Sequence, residues 1–230
     1  GALMALSKII LKTIPGIDRP AICGSLPTKT SQFHMLDLGA NVECSAKHLY
    51  EFAIMGSALV QSLNLKTKPV IGLLNIGSED FKGNETIKTA GQLIKKSNLN
   101  YAGFVEGDDM FNGKFDVIVT DGFAGNIALK SIEGVAKVIS HFIKKEFTKN
   151  IFTKLSALIS LPVMKSFKNK VDPRKYNGAS LLGLQGIVVK SHGGADSLAF
   201  SQAIETAYYE VKNELLEKMD SLIQSELSNE

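Results

Sequence analysis

The stretch FDVIVTDGFAGNIALK, residues 115–130, reads as a buried strand that opens directly into a helix. The strand occupies FDVIVTDG (115–122), and helical character runs from about Ala124 to Phe147. Two glycines, Gly122 and Gly125, mark the junction, as expected of a strand-to-helix turn. The same alternation continues in both directions. Upstream lie short strands at PAICGSL (20–26) and FHMLDLG (33–39), then a helix from a Ser45 cap to about Leu63. The strand PVIGLLNIG (69–77), a helix at about 84–97 and the strand NYAGFVE (100–106) follow. Downstream come strands at ASLLG (179–183) and GIVVKSHG (186–193), and Asp196 caps a final helix. Buried strands alternating with helices predict an α/β fold of three layers around a largely parallel sheet.

Two segments depart from that rhythm. Residues 2–12 form an amphipathic helix that Pro15 and Gly16 stop. Between residues 144 and 175 the chain is helical, studded with lysine and interrupted by Pro162, and is expected to protrude as a helical hairpin. Phe147, Ile151, Phe152, Leu155, Leu158 and Ile159 recur there at helical spacing. Lys144, Lys145, Lys149, Lys154, Lys165, Lys168 and Lys170 surround them, opposed only by Glu146. Basic amphipathic helices of this kind settle on anionic membrane surfaces or meet acidic partners. Packing against the same hairpin of a second subunit accounts for the apolar stripe equally well.

Bulk composition narrows the function. A chain of 230 residues with 44% hydrophobic content supports one sizeable core, or one domain with an appendage. The net charge of +3 is too small to imply nucleic acid without a local basic patch. Only Arg19 and Arg174 carry guanidinium groups, which argues against a dicarboxylate substrate held by bidentate clamps. Cys23 and Cys44 show no paired spacing, as in a reduced cytoplasmic protein. No apolar run reaches the length of a membrane span. The opening ALMALSKIILKTI carries Lys8 and Lys12 inside it and reads as a helix in progress, so further residues are expected upstream.

In open α/β sheets, ligands bind beyond the carboxyl ends of the strands, where four clusters collect. Asn75 and Glu79 leave one strand, and Lys82 with Gly83 stands just before a helix. Backbone N–H groups, a positive helix end and a lysine together suit phosphate, although a Gly-Asn helix start needs no ligand. In the second cluster, Asp121 and Gly122 end a strand, and Asn126 and Lys130 share a helix face at i, i+4 spacing. A tight turn capped by Asp121 is its plain structural explanation. The third cluster is His192 before Gly193 and Gly194, and the fourth is the Asp37–Asn41 turn. None shows metal-ligand spacing, a nucleophile elbow or a P-loop pattern, so neither metal nor cofactor is expected.

The segments LDLGAN, GLLNIGSEDFKG, FVEGDDMFNGKFDVIVTDGFAGNIALKSIEG and NGASLLGLQGIVVKSHG, in this order, resemble the phosphate acyltransferase family of membrane phospholipid synthesis. The resemblance spans nearly all of residues 1–230. It implies a fold like the isocitrate and isopropylmalate dehydrogenases and the phosphotransacetylases, usually in a homodimer. It also implies transfer of a fatty acyl group from acyl-acyl carrier protein to inorganic phosphate. The acyl phosphate then feeds a membrane glycerol-3-phosphate acyltransferase, in keeping with a cytoplasmic protein peripherally associated with the membrane. Family members begin with further strands and helices upstream of Gly1, so this chain is expected to be the C-terminal part of one such domain.

On that resemblance, phosphate falls to Lys82, the N–H groups near Gly83, and Lys130. Asn75 and Asn126 orient the acyl carbonyl or donate to the oxyanion, and His192 assists. Asn41, Glu79, Asp121 and Gly122 complete the substrate-binding set, and Lys154, Leu155, Leu158 and Ile159 provide the membrane or carrier contact. No covalent nucleophile is required, because a thiolate leaves readily. A coenzyme A-dependent phosphotransacetylase is the nearest rival. A dehydrogenase on the same fold lacks its arginines and metal-binding carboxylates, and an inert interaction module is the reading from another class.

Overall fold

Seven short segments are apolar enough to be strands: β1 (Ala21–Pro27), β2 (Gln32–Leu36), β3 (Ile71–Leu74), β4 (Tyr101–Val105), β5 (Val117–Val119), β6 (Ala179–Leu182) and β7 (Val189–Lys190). In the computed structural model, which describes residues 2–170 and 172–227, they form one sheet in the order β4-β3-β5-β2-β1-β6-β7. Gly1, Val171, residues 228–230 and the side chain of Lys170, counted above among the basic residues, lie outside the described residues. The β4-β3-β5-β2 half is parallel, with Met35 and Gly72 flanking Ile118. The β1-β6-β7 half is antiparallel throughout. The sheet is therefore mixed, and its parallel half is the half formed by βαβ crossovers.

Helices cover both faces, giving the expected three layers. Helices α2 (Ala46–Ser62), α3 (Glu85–Lys96) and α7 (Leu215–Leu227) bury one face around Phe52, Met55, Leu73, Ile94, Met219 and Ile223. Helix α2 is buried from His48 to Val60, as an apolar helix clamped between a sheet and α7 must be. On the other face Phe33, Met35 and Ile118 pack with Met4 and Leu11 of α1 (Ala2–Leu11). Leu129 and Ile132 of α4 (Gly122–Phe147) complete that layer. Gly16, with φ of 93°, lies against Ile223 and Leu227, so the start of the chain meets its last helix. No helix among the described residues is long and apolar enough to cross a membrane.

Two expectations need correction. The final helix is two, α6 (Ser197–Lys212) and α7, separated where Glu214 takes a positive φ of 57°. Pro162 does not interrupt the lysine-rich segment but lies inside α5 (Ile151–Lys170). Its missing N–H deprives the Leu158 carbonyl of a helical bond on an exposed stretch of the helix. The helix entering this segment runs from Gly122 to Phe147, close to its expected span. Helix α5 returns to the body at an ion-pair cluster. Arg174 donates through Nε and Nη2 to Asp172, and through Nη1 to Asp196, the N-cap of α6. That pairing holds the Asp172 carboxyl down at about 2.

Candidate active site

The parallel strands all deliver their carboxyl ends to one edge, and two of the sequence clusters meet there with the Asp37 turn. Strand β2 ends at Leu36, and the N–H of Asp37 just after it donates to the Thr120 carbonyl beyond β5, while the Thr120 N–H donates to the Leu36 carbonyl. The two strand ends are thereby locked side by side. Helix α4 starts immediately, with Asp121 Oδ1 accepting the Ala124 N–H at 2.7 Å. The Gly122 N–H donates to the Asn41 carbonyl at 2.7 Å. A Cβ at Gly122 would collide with Asn41 and the Asp37 carboxylate, and one at Gly125 with the Asp37 carbonyl. These glycines are there because two backbones touch. Gly122 contributes close approach, and its N–H is already committed to the Asn41 carbonyl.

Asn41 is committed in the same way. Its Nδ2 donates to the Pro20 carbonyl at 2.8 Å and to Asp37 Oδ2 at 3.0 Å, which makes it a tie between turn and sheet. Asn126 and Lys130 do share an exposed face of α4. The Lys130 ammonium pairs with Glu133 at 2.9 Å, so binding an anion there means displacing or sharing that partner.

The neighbouring strand β3 supplies the second loop. Asn75, only 7% exposed, donates through Nδ2 to the Lys82 carbonyl at 3.2 Å. Its Oδ1 has no partner among the described residues and faces Gly83, whose φ of 86° and missing Cβ allow the approach. An acceptor has the wrong polarity for an oxyanion, so Asn75 fits a role holding the loop rather than orienting a carbonyl. Glu79 is exposed and shapes the same loop, its carbonyl accepting the Lys82 N–H at 3.0 Å. The Lys82 ammonium stands 5.7 Å from the centroid of the Phe81 ring. Asn84 Oδ1 caps α3 by accepting the Ile87 N–H at 2.9 Å.

His192 is not at this edge. Strand β7 runs antiparallel to β6, with Lys190 beside Ala179, so the carboxyl end of β7 lies at the opposite end of the sheet. Asn177 holds it there, accepting the His192 N–H at 3.0 Å and donating to Ser191 Oγ at 2.9 Å. Conversely, the antiparallel β1 brings its amino end to the site edge, and with it Arg19 and Asp18. Arg19 Nη1 donates to the Glu43 carbonyl at 3.3 Å. Asp18 Oδ2 lies 2.6 Å from His48 Nε2, and this bond holds the Asp18 carboxyl below its ordinary range. His48 Nδ1 accepts the Ser45 N–H, so the imidazole is occupied on both sides as part of the α2 cap. The only signal for Arg19 in the sequence was its rarity; its position required knowing which way β1 runs.

Both cysteines are held as thiols. Burial pushes the Cys44 thiol up to about 11, and buried Cys23 is raised further. Burial likewise raises the Asp37 carboxyl, against the pull of the N–H groups of Ala40, Ile22 and Asn41. Far from this edge, Leu155, Leu158 and Ile159 on α5 are 57%, 63% and 75% exposed, and Lys154 is exposed beside them. At the foot of α5, Phe142, Ile143 and Phe147 with Thr153 and Ser156 line an open apolar cleft of about 450 Å³.

A family model described as fatty acid synthesis protein matches residues 1–218. The phosphate acyltransferase of Methylococcus capsulatus is 58% identical over 212 residues, covering 92% of this chain and 62% of its own length. That of Alkalilimnicola ehrlichii is 55% identical, over 99% of this chain and 67% of its own. The Vesicomyosocius okutanii phosphate acyltransferase is 56% identical, over 100% and 68%. The chain thus spans about two thirds of the length of these curated relatives. Among solved structures, a phosphotransacetylase from Streptococcus pyogenes matches with a TM-score of 0.55 at 17% identity, over 90% of this chain and 58% of that one. One from Staphylococcus aureus matches with a TM-score of 0.53 at 17% identity, over 95% and 58%. The sheet and its flanking helices are therefore a fold shared with phosphotransacetylases.

Proposed function

Since this chain belongs to the fatty acid synthesis protein family, we propose that it transfers a fatty acyl group from acyl-acyl carrier protein to inorganic phosphate. The observation that carries this reading is the adjacency of two loops on the neighbouring parallel strands β3 and β5. One loop presents Lys82 just before α3, and the other presents Asn126 and Lys130 on the first turns of α4. Cationic groups and a helix start on one side hold the phosphate, and an amide on the other meets the carbonyl oxygen.

In the reaction, a phosphate oxygen forms a bond to the thioester carbonyl carbon, and the carbonyl oxygen becomes an oxyanion. Collapse of that intermediate breaks the carbon–sulfur bond and releases the carrier as a thiolate, which takes a proton from solvent. A leaving thiol of pKa about 8.5 needs no strong general acid, so the distance of His192 from this edge does not obstruct the chemistry. Replacing Lys82 with alanine lowers acyl phosphate formation, trapped as the hydroxamate, by about 10²-fold. Near-normal turnover removes Lys82 from the mechanism. A coenzyme A thioester is the alternative donor, and competing the two donors in one assay separates them.

The exposed apolar and basic face of α4 and α5 supports contact with the acidic carrier protein, with an anionic membrane surface, or with a second copy in a homodimer. A cytoplasmic protein peripherally bound to the membrane fits handover of acyl phosphate to a glycerol-3-phosphate acyltransferase there. A chain that self-associates but neither makes acyl phosphate nor binds phosphate is instead an interaction module.

A further inference from the structure

We infer that Asp37 is a positioning residue that sets the side chain of Asn126; its kinetic consequence rests on the acyl transfer proposed above. Asp37 is completely buried, so it touches no substrate and acts only through what it holds. Its carboxylate gathers four N–H groups. Oδ1 accepts from Ile22 at 2.9 Å and Ala40 at 3.0 Å, and Oδ2 accepts from Asn41 through its backbone at 2.6 Å and its Nδ2 at 3.0 Å. Every contact is a donor, so the group fits there only as an ionised acceptor.

These bonds fix the turn from Gly39 to Asn41 against the start of β1. The turn in its place does two things to α4. The Asn41 carbonyl takes the Gly122 N–H, which sets the height of the first helical turn. Gly39, with φ of 116°, lies beneath Asn126, and a Cβ there would stand 3.4 Å from Asn126 Cβ and 3.6 Å from its Oδ1. An exposed asparagine on a helix ordinarily samples several rotamers, and this one has a fixed floor. A group that stabilises charge only in the transition state depends on such preorganisation, and a displacement of about 1 Å costs on the order of 10²-fold in rate. Exchanging Asp37 for asparagine turns an acceptor into a donor facing donors, so the turn moves and Asn126 loses its support.

The test compares D37N, N126A and the double variant in acyl phosphate formation. D37N lowers kcat by about 10²-fold with KM for phosphate little changed, because the lost interaction belongs to the transition state. The double variant falls no further than N126A alone, because both substitutions remove the same contribution. G39A leaves the Asp37 carboxylate in place but strains the turn at φ of 116°, which shifts the floor beneath Asn126, so it gives the same pattern and serves if D37N does not fold. A second readout needs no activity. The Asn126 side-chain amide signal in the ¹⁵N-labelled chain, assigned by its loss in N126A, shifts in folded D37N and in G39A. Losses that multiply in the double variant, an unmoved amide signal, or full activity of N126A each overturn the inference. A wild-type chain that makes no acyl phosphate breaks the functional reading alone, and the amide signal still decides whether Asp37 positions Asn126.

Discussion

Helix α4 has two ends that obey different rules. Its first turn is pressed against the Asp37 turn so closely that Gly122 and Gly125 have no room for a Cβ, and the N–H groups of Gly122 and Ala124 are taken by Asn41 and Asp121. Its second half carries Val135, Val138, Ile139 and Phe142 into solvent, and α5 continues with Phe152 and Ile159 exposed. Burial there is forgone on a scale that a monomer rarely tolerates without a partner. The contrast separates residues that make the fold from residues that meet something else. At the edge, side-chain identity answers to backbone a few ångströms away; on the arm, it answers to whatever covers it.

The comparison breaks first at Gly125. G125V drives a branched side chain into the Asp37 carbonyl and costs about 3 kcal/mol or more, read as a lower urea midpoint. Only a small loss would mean that the two backbones can part. Acid tests the same body more gently. His34 is buried, its Nε2 has no partner among the described residues, and burial pushes its pKa down to about 4. Below pH 6.5 the unfolded chain binds a proton that the folded chain refuses. Stability is therefore full above pH 6.5 and falls as pH drops towards 4, by up to about 3 kcal/mol. Hydrogen exchange at pH 5 accordingly loosens β1 and β2, and H34N lessens that loosening. The smallest effect on stability belongs to the arm. L155E with L158E changes the urea midpoint by less than about 0.5 kcal/mol, yet abolishes sedimentation with anionic vesicles. Unchanged sedimentation, with dimerisation lost, assigns the face to a second copy.

The β5–α4 junction was legible in the sequence because every signal for it is local: an apolar run, an Asp cap and two glycines within ten residues. The three-layer arrangement followed from alternation alone. His192 was misplaced because a strand end was taken as the site edge, and whether β7 runs with or against the parallel strands is decided by pairing across the sheet. The same ignorance of direction hid Arg19, which the antiparallel β1 brings to the edge from its amino end. Asn41 and Asn75 looked like ligand contacts because an asparagine at a strand end serves a substrate and a turn with the same atoms. Only the partners of each amide, Pro20 and Asp37 for one and Lys82 for the other, distinguish the uses. The break at Glu214 left no glycine or proline to announce it.

Helix α7 bears on how the chain comes to be folded at all. It inserts Leu215, Met219 and Ile223 into the layer that α2 buries, and its Glu226 accepts the Asn98 N–H at 3.2 Å. Gln224 donates to the Pro15 carbonyl, and Leu227 lies on Gly16. A ribosome that has delivered the chain through Glu214 has therefore made all seven strands of this sheet and still lacks the plug for its main core. Until α7 clears the exit tunnel, α2 exposes an apolar flank, and the nascent chain is at its most dependent on a holding chaperone.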